Sequence, residues 1–176
     1  MSGAVRLVPL LLAIVVLAVT SGCARGDGVI DLTSPAFDDG GTIPLRFACE
    51  GDNVSPPLVW SDVSDEAAEL ALVMADLDGP DGIFHHWIVV GIDPDVRSMA
   101  AGEIPAGAVL AQATSDNAAY IGPCPADGER REYLFTLFQL DRPLELPAGA
   151  ETEAALDAID EARLGGEGEL RGVLAG

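Results

Sequence analysis

The chain contains no lysine. Its nine basic side chains are all arginine, and against 29 acids they leave a formal net charge of −20. A surface of that sign repels phosphate backbones, so no nucleic-acid partner is expected; the acidity itself serves solubility. Histidine is nearly absent too: the only two are the adjacent His85 and His86. Neighbouring residues of a strand face opposite sides, so at most one of them enters a given pocket. One histidine with two acids is an incomplete set for zinc. No metal and no cofactor are therefore expected. No serine occupies a strained Gly-x-Ser-x-Gly turn, and Cys124 lies between Pro123 and Pro125 without a second histidine nearby, so the usual nucleophiles of a hydrolase are missing. Internal repeats, low-complexity tracts and a second domain are also lacking.

Long apolar runs are absent apart from one, at the very start. Arg6 supplies a positive end, residues 7–19 are almost continuously apolar, and Thr20-Ser21-Gly22-Cys23 closes the segment. That order reads as a secretory signal, too short and too soon interrupted for a membrane span. Small residues directly before a cysteine resemble lipoprotein processing. The expected organisation is a signal peptide over 1–22, a lipidated Cys23 with a polar tether over 23–29, and one domain over 30–176. The predicted address is the cell envelope, with the protein exported and lipid-anchored to the outer face of the plasma membrane. About 150 residues remain, enough for one domain with a proper core. Of three cysteines, Cys49 and Cys124 are left in the domain. An even number outside the cytoplasm permits a disulfide, and two buried free thiols are the alternative. The bridge is the expectation, tying the loop after Cys49 to the loop around Cys124.

Turn clusters at short intervals, such as Asp38-Asp39-Gly40-Gly41 and Gly51-Asp52-Asn53, separate short apolar runs. Residues 45–49, 70–75, 87–92 and 133–140 read as strands by length and by β-branched or aromatic content. Residues 71–74 and 88–90 are apolar on both faces, as central strands covered on both sides should be. Residues 151–163 read as a helix, with acids at its start, Arg163 at its end and Gly165-Gly166 as a stop. Residues 168–174 read as a final strand. Many short strands with one late helix predict a mostly β chain, an antiparallel sandwich carrying one or two short helices.

Three segments hold polar residues that a plain sandwich does not need. Asp76 and Asp78 share one side if their strand continues that far, where they can hold a metal, share a proton or simply cap the turn before Gly79-Pro80. His85 and His86 open the strand of Trp87, and whichever of them is buried suits an anion or a hydroxyl when an acid orients it. Gly122, Pro123 and Pro125 make a rigid loop that approaches a ligand closely, and Arg131 and Tyr133 share a face of the next strand. A guanidinium beside a phenol fits a carboxylate or a phosphate.

Taken in order, these segments resemble the phosphatidylethanolamine-binding, or Raf kinase inhibitor-like, family. The similarity rests on Cys49-Glu50-Gly51-Asp52-Asn53-Val54-Ser55-Pro56-Pro57-Leu58-Val59-Trp60, on Asp76-Leu77-Asp78-Gly79-Pro80 with His86-Trp87, and on Tyr120-Ile121-Gly122-Pro123-Cys124-Pro125 with Tyr133-Leu134-Phe135. The resemblance implies a β-sandwich with a small anion-binding pocket lined by Asp76, His86 and Tyr133, with Asp78 and the Gly122–Pro125 loop adjoining. The chain departs from the pattern at four places. Arg131 stands where the family has a second histidine, Glu132 replaces the following arginine, and Leu77 and Ala126 replace prolines. Members of the family are kinase-cascade modulators, phospholipid-headgroup binders and protease inhibitors. The expected function is a non-enzymatic binding or regulatory lipoprotein that takes a small anion or a phospholipid headgroup. Inhibition of an envelope protease, and less so a small hydrolase activity, are the alternatives.

Overall fold

The runs that are apolar on both faces become the middle layer of three. The computed structural model describes residues 28–79 and 81–176. Its strands are β1 (Asp31–Thr33), β2 (Gly41–Thr42), β3 (Leu58–Ser61), β4 (Glu69–Asp76), β5 (Phe84–Ile92), β6 (Ser98–Met99), β7 (Val109–Leu110), β8 (Arg130–Leu140) and β9 (Gly168–Ala175), with helix α1 (Thr152–Ala162) before the last. The chain is mostly β, as the composition of its runs predicts. The six-stranded sheet has the order β2-β9-β8-β4-β5-β7, and a three-stranded sheet, β1-β3-β6, covers one of its faces. All described pairs are antiparallel except the short β2–β9 pair.

Alternation along β4 assigns its side chains to two cores. Leu70, Leu72 and Met74 meet Leu58, Trp60 and Met99 between the sheets, while Ala71 and Val73 pack with Ala155, Ile159 and Ala162 of α1. Burial on both sides explains why this strand carries no exposed polar position. The buried Glu69 at its start is satisfied by the backbone: its two carboxylate oxygens accept the N–H groups of Gly91 and Leu144 at 3.0 and 3.1 Å. Burial nonetheless pushes its carboxyl up from the ordinary value.

One expected strand is a turn. Residues 45–49 follow Pro44, and Leu45–Phe47 wind into a 3-10 helix closed by Phe47 N–H to Pro44 C=O and Ala48 N–H to Leu45 C=O, both at 2.9 Å. Leu45 points to solvent at 61% exposure and Phe47 is buried, so the alternating pattern does not mark two sides of a sheet. The signal segment, Cys23 and most of the tether lie outside the described residues. Among the described residues no helix is long and apolar enough to cross a membrane.

Candidate functional site

The ends of β4, β5 and β8 meet at one corner of the larger sheet. Asp76, the last residue of β4, pairs with Phe84 of β5 on one side and with Tyr133 of β8 on the other. Along β4 and β5 the register shifts at this corner: Met74 faces Trp87, but Ala75 faces His85. His86 is the surplus residue of a β-bulge, which turns its side chain onto the face that Trp87 also occupies. Trp87 enters the core between the sheets. His86 lines a cavity with Asp76 and Tyr133, and His85 lies on the opposite face beside Val73, Ala75 and Leu134.

The bulge also positions the imidazole. The Ile121 N–H donates to the His86 carbonyl at 2.9 Å, and His86 Nδ1 donates to the Ile121 carbonyl at 2.8 Å. A carbonyl only accepts, so Nδ1 carries the proton of the neutral ring and Nε2 keeps a lone pair. Nε2 has no partner among the described residues. No buried side-chain nitrogen or oxygen among them lacks one, so Nε2 opens into the cavity. Asp76 does not orient this ring, contrary to expectation; the Ile121 backbone does. The Tyr133 ring stands edge-on to the imidazole, 5.2 Å between centroids, and the Phe84 ring packs against it at 4.7 Å.

The cavity has a volume of about 360 Å³ and is walled on one side by the loop holding Ile121, Gly122, Cys124 and Ala126. Four ties fix that wall to the segment after Pro44. Tyr120 Oη donates to the Phe47 carbonyl at 2.8 Å, the Gly122 N–H to Asn53 Oδ1 at 2.8 Å, and the Cys49 N–H to the Pro123 carbonyl at 3.0 Å. The fourth is covalent: Cys49 and Cys124 are bonded, with Cα atoms 5.4 Å apart. Glycine is required at 122 because a Cβ there would sit 2.6 Å from Asn53 Oδ1 and 2.8 Å from backbone atoms of Ala48 and Cys49. Pro123 and Pro125 stiffen the loop; they line a small gap with Leu45, Ala48 and Leu174 and are not among the residues lining the cavity.

Two further expectations change at Asp78 and Arg131. β4 stops at Asp76, so the period of two does not reach Asp78, whose side chain is exposed. Asp78 contributes its backbone instead: its N–H donates to Asp76 Oδ1 at 2.9 Å, and its carbonyl accepts from Arg131 Nη1 at 2.7 Å. Arg131 is no free rim cation. Nη1 also reaches Asp76 Oδ2 at 3.2 Å, and Nε and Nη2 donate to Glu129 Oε2 at 2.9 and 2.8 Å. Glu129 is a pocket residue the sequence reading missed. It sits just before β8, outside the strand whose period would have paired it with Arg131, so alternation gave no signal for it.

Burial lowers the proton affinity of His86 below the ordinary 6.5, against the opposing pull of its Ile121 hydrogen bond and the Asp76 charge; burial lowers His85 likewise. Both rings are neutral at pH 7. Tyr133 is pushed up to about 12, first by burial and then by the Asp76 charge, so it stays a phenol. The Arg131 hydrogen bonds hold the Glu129 carboxyl below its usual value. Near pH 6.5 the unfolded chain takes up protons that the folded imidazoles still refuse. Stability therefore declines as pH falls below that point. Imidazole resonances followed by NMR should show both midpoints below 6.5; a His86 midpoint above it would contradict burial as the dominant influence.

The sequence profile of the phosphatidylethanolamine-binding protein family matches residues 33–173. LppC of Mycobacterium tuberculosis, whose name assigns it provisionally to the lipoproteins, is 43% identical over 148 residues, 84% of this chain and 73% of its own length. The UPF0098 protein of Methanothermobacter thermautotrophicus is 40% identical over 149 residues, covering 82% of this chain and 97% of that protein. Among solved structures, CT736 of Chlamydia trachomatis, described as a phosphatidylethanolamine-binding protein homologue, superposes with a TM-score of 0.78 at 36% identity, over 85% of this chain and 99% of that one. YbcL of Escherichia coli shares the fold at 23% identity, with a TM-score of 0.77 over 83% and 98% of the two chains. With fold, motif order and full-domain similarity in agreement, this chain belongs to the phosphatidylethanolamine-binding protein family.

Proposed function

We propose that the protein is an exported, lipid-anchored binding protein of the cell envelope whose pocket holds a small oxyanion, a carboxylate or phosphate group, without turning it over. The observation that carries this reading is the convergence of the His86 imidazole, the Tyr133 phenol and the Arg131 guanidinium on one cavity. A phenol and a guanidinium donate hydrogen bonds to an anion directly. Neutral His86 offers only a lone pair at Nε2, so it becomes a donor by taking up a proton as the anion enters. The reading without turnover is supported by the lining, where Cys124 is held in its disulfide and no serine or threonine appears. The envelope address rests on Arg6, the apolar run and Cys23, with the similarity to LppC in support.

Calorimetric titration of acetate and inorganic phosphate into the purified protein tests this. The His86→Ala variant should bind at least about tenfold more weakly, the scale of one charge-assisted hydrogen bond. The His85→Ala variant, altered on the opposite face, should match wild type. Wild-type affinity should rise as pH is lowered from 7.5 toward 5.5, because bound anion and protonated His86 stabilise each other. Equal affinity in the His86 variant would reject the site. Anchoring is checked separately: Cys23→Ser should shift the protein out of the detergent phase, and unchanged partitioning would reject lipidation.

A further inference from the structure

Arg131 holds its partners on two sides, and the two sides differ. Nη1 is locked into the framework by Asp76, a buried carboxylate, and by the Asp78 carbonyl. The Nε–Nη2 edge, the edge of a guanidinium that receives an incoming carboxylate two bonds at a time, is taken by Glu129. Glu129 belongs to no strand. It closes the turn in which its own N–H bonds to the Ala126 carbonyl at 2.9 Å, and its side chain is 47% exposed. Its backbone is pinned, since its carbonyl accepts the Gly176 N–H at 2.9 Å, so the carboxylate leaves by side-chain rotation alone. Both Ala126 and Glu129 line the cavity beside His86 and Tyr133.

We infer that Glu129 is a built-in occupant of a carboxylate seat on Arg131, and that a carboxylate ligand enters the pocket by exchange with it. The inference rests on the oxyanion reading of the same pocket and specifies how the seat is filled. Charge supports exchange over addition. Asp76, Glu129 and Arg131 together carry one net negative charge, which opposes an anion arriving on top of them. Once Glu129 swings out, Arg131 balances Asp76 and its outer edge is bare. A single carboxylate then restores the original charge arrangement, whereas a phosphate dianion brings excess charge toward buried Asp76. Glu129 thereby sets both the affinity and the class of ligand.

Titrating acetate into the purified wild-type and Glu129→Gln proteins by calorimetry tests the exchange, with inorganic phosphate as the comparison anion. The variant should bind acetate roughly tenfold tighter or more, with unchanged thermal stability because the replaced side chain is half exposed. A second readout follows the Arg131 Nε–H proton by NMR. It should move when Glu129 is replaced, and acetate should return it toward its wild-type position. Acetate binding of equal strength in the two proteins would overturn the inference while leaving the pocket reading intact. Failure of both proteins to bind acetate or phosphate would overturn both.

Discussion

Replacing Cys49 and Cys124 together by serine should lower the unfolding free energy by about 4.5 kcal/mol, the value that chain entropy gives for a closed loop spanning 75 residues. The bridge joins the turn after Pro44 to the pocket wall, two segments that share no sheet ladder. Three hydrogen bonds remain between them, from Tyr120 to Phe47, Gly122 to Asn53 and Cys49 to Pro123. Each contributes about 1 kcal/mol net, so the wall stays docked in the variant but opens more often. Urea unfolding of wild type, with and without reductant, and of the double variant measures the effect. A loss below about 1 kcal/mol would show that the denatured chain gains little freedom when the bridge is absent.

Gly122→Ala should cost about 2–3 kcal/mol, at the upper end for inserting a methyl group into a packed site. The new carbon would meet Asn53 Oδ1 at 2.6 Å and the backbone of Ala48 and Cys49 at 2.8 Å. Backbone atoms held by a disulfide cannot step aside as a side-chain tip does. The loop has to lift, breaking the Gly122–Asn53 hydrogen bond and widening the cavity near Ile121, which orients His86. Acetate affinity and urea midpoint should therefore fall together in this variant. His86→Ala differs, because it removes the binding group and leaves the wall in place. A Gly122→Ala protein with wild-type stability would mean that the loop is looser than its four ties imply.

The central strands were legible because burial on both faces writes a continuous apolar run into β4 and β5, and α1 because acids before it and glycines after it mark its ends. Residues 45–49 misled because Leu45 and Phe47 alternate as strand residues do while Pro44 turns the chain. The histidines show the limit of periodicity best. Counting by twos from Trp87 puts His85 on the core face and sends His86 beneath the helix. Only the bulge reverses that assignment, and a bulge leaves no composition of its own; the resemblance to the family selected His86 where spacing alone selects its neighbour. The partners of Arg131 were hidden for another reason. Asp78 acts through its backbone, which any residue can supply, and Glu129 precedes the strand whose period would have paired it with Arg131.

The bulge makes the imidazole of the pocket depend on a residue count. Between Asp76 at the end of β4 and Phe84 at the start of β5, an inserted or deleted residue changes only the length of the connection. Between Phe84 and Trp87 the same event is a change of phase. Deleting His86 restores plain alternation, leaves His85 on the helix side, and leaves the cavity with no histidine although one remains in the chain. Related sequences should therefore vary in length before Phe84 and keep a constant spacing from Phe84 to Trp87. A homologue with a shortened spacing there is expected to have lost the bulge, the pocket imidazole and the Ile121 hydrogen bond in a single step, whatever residues flank the gap.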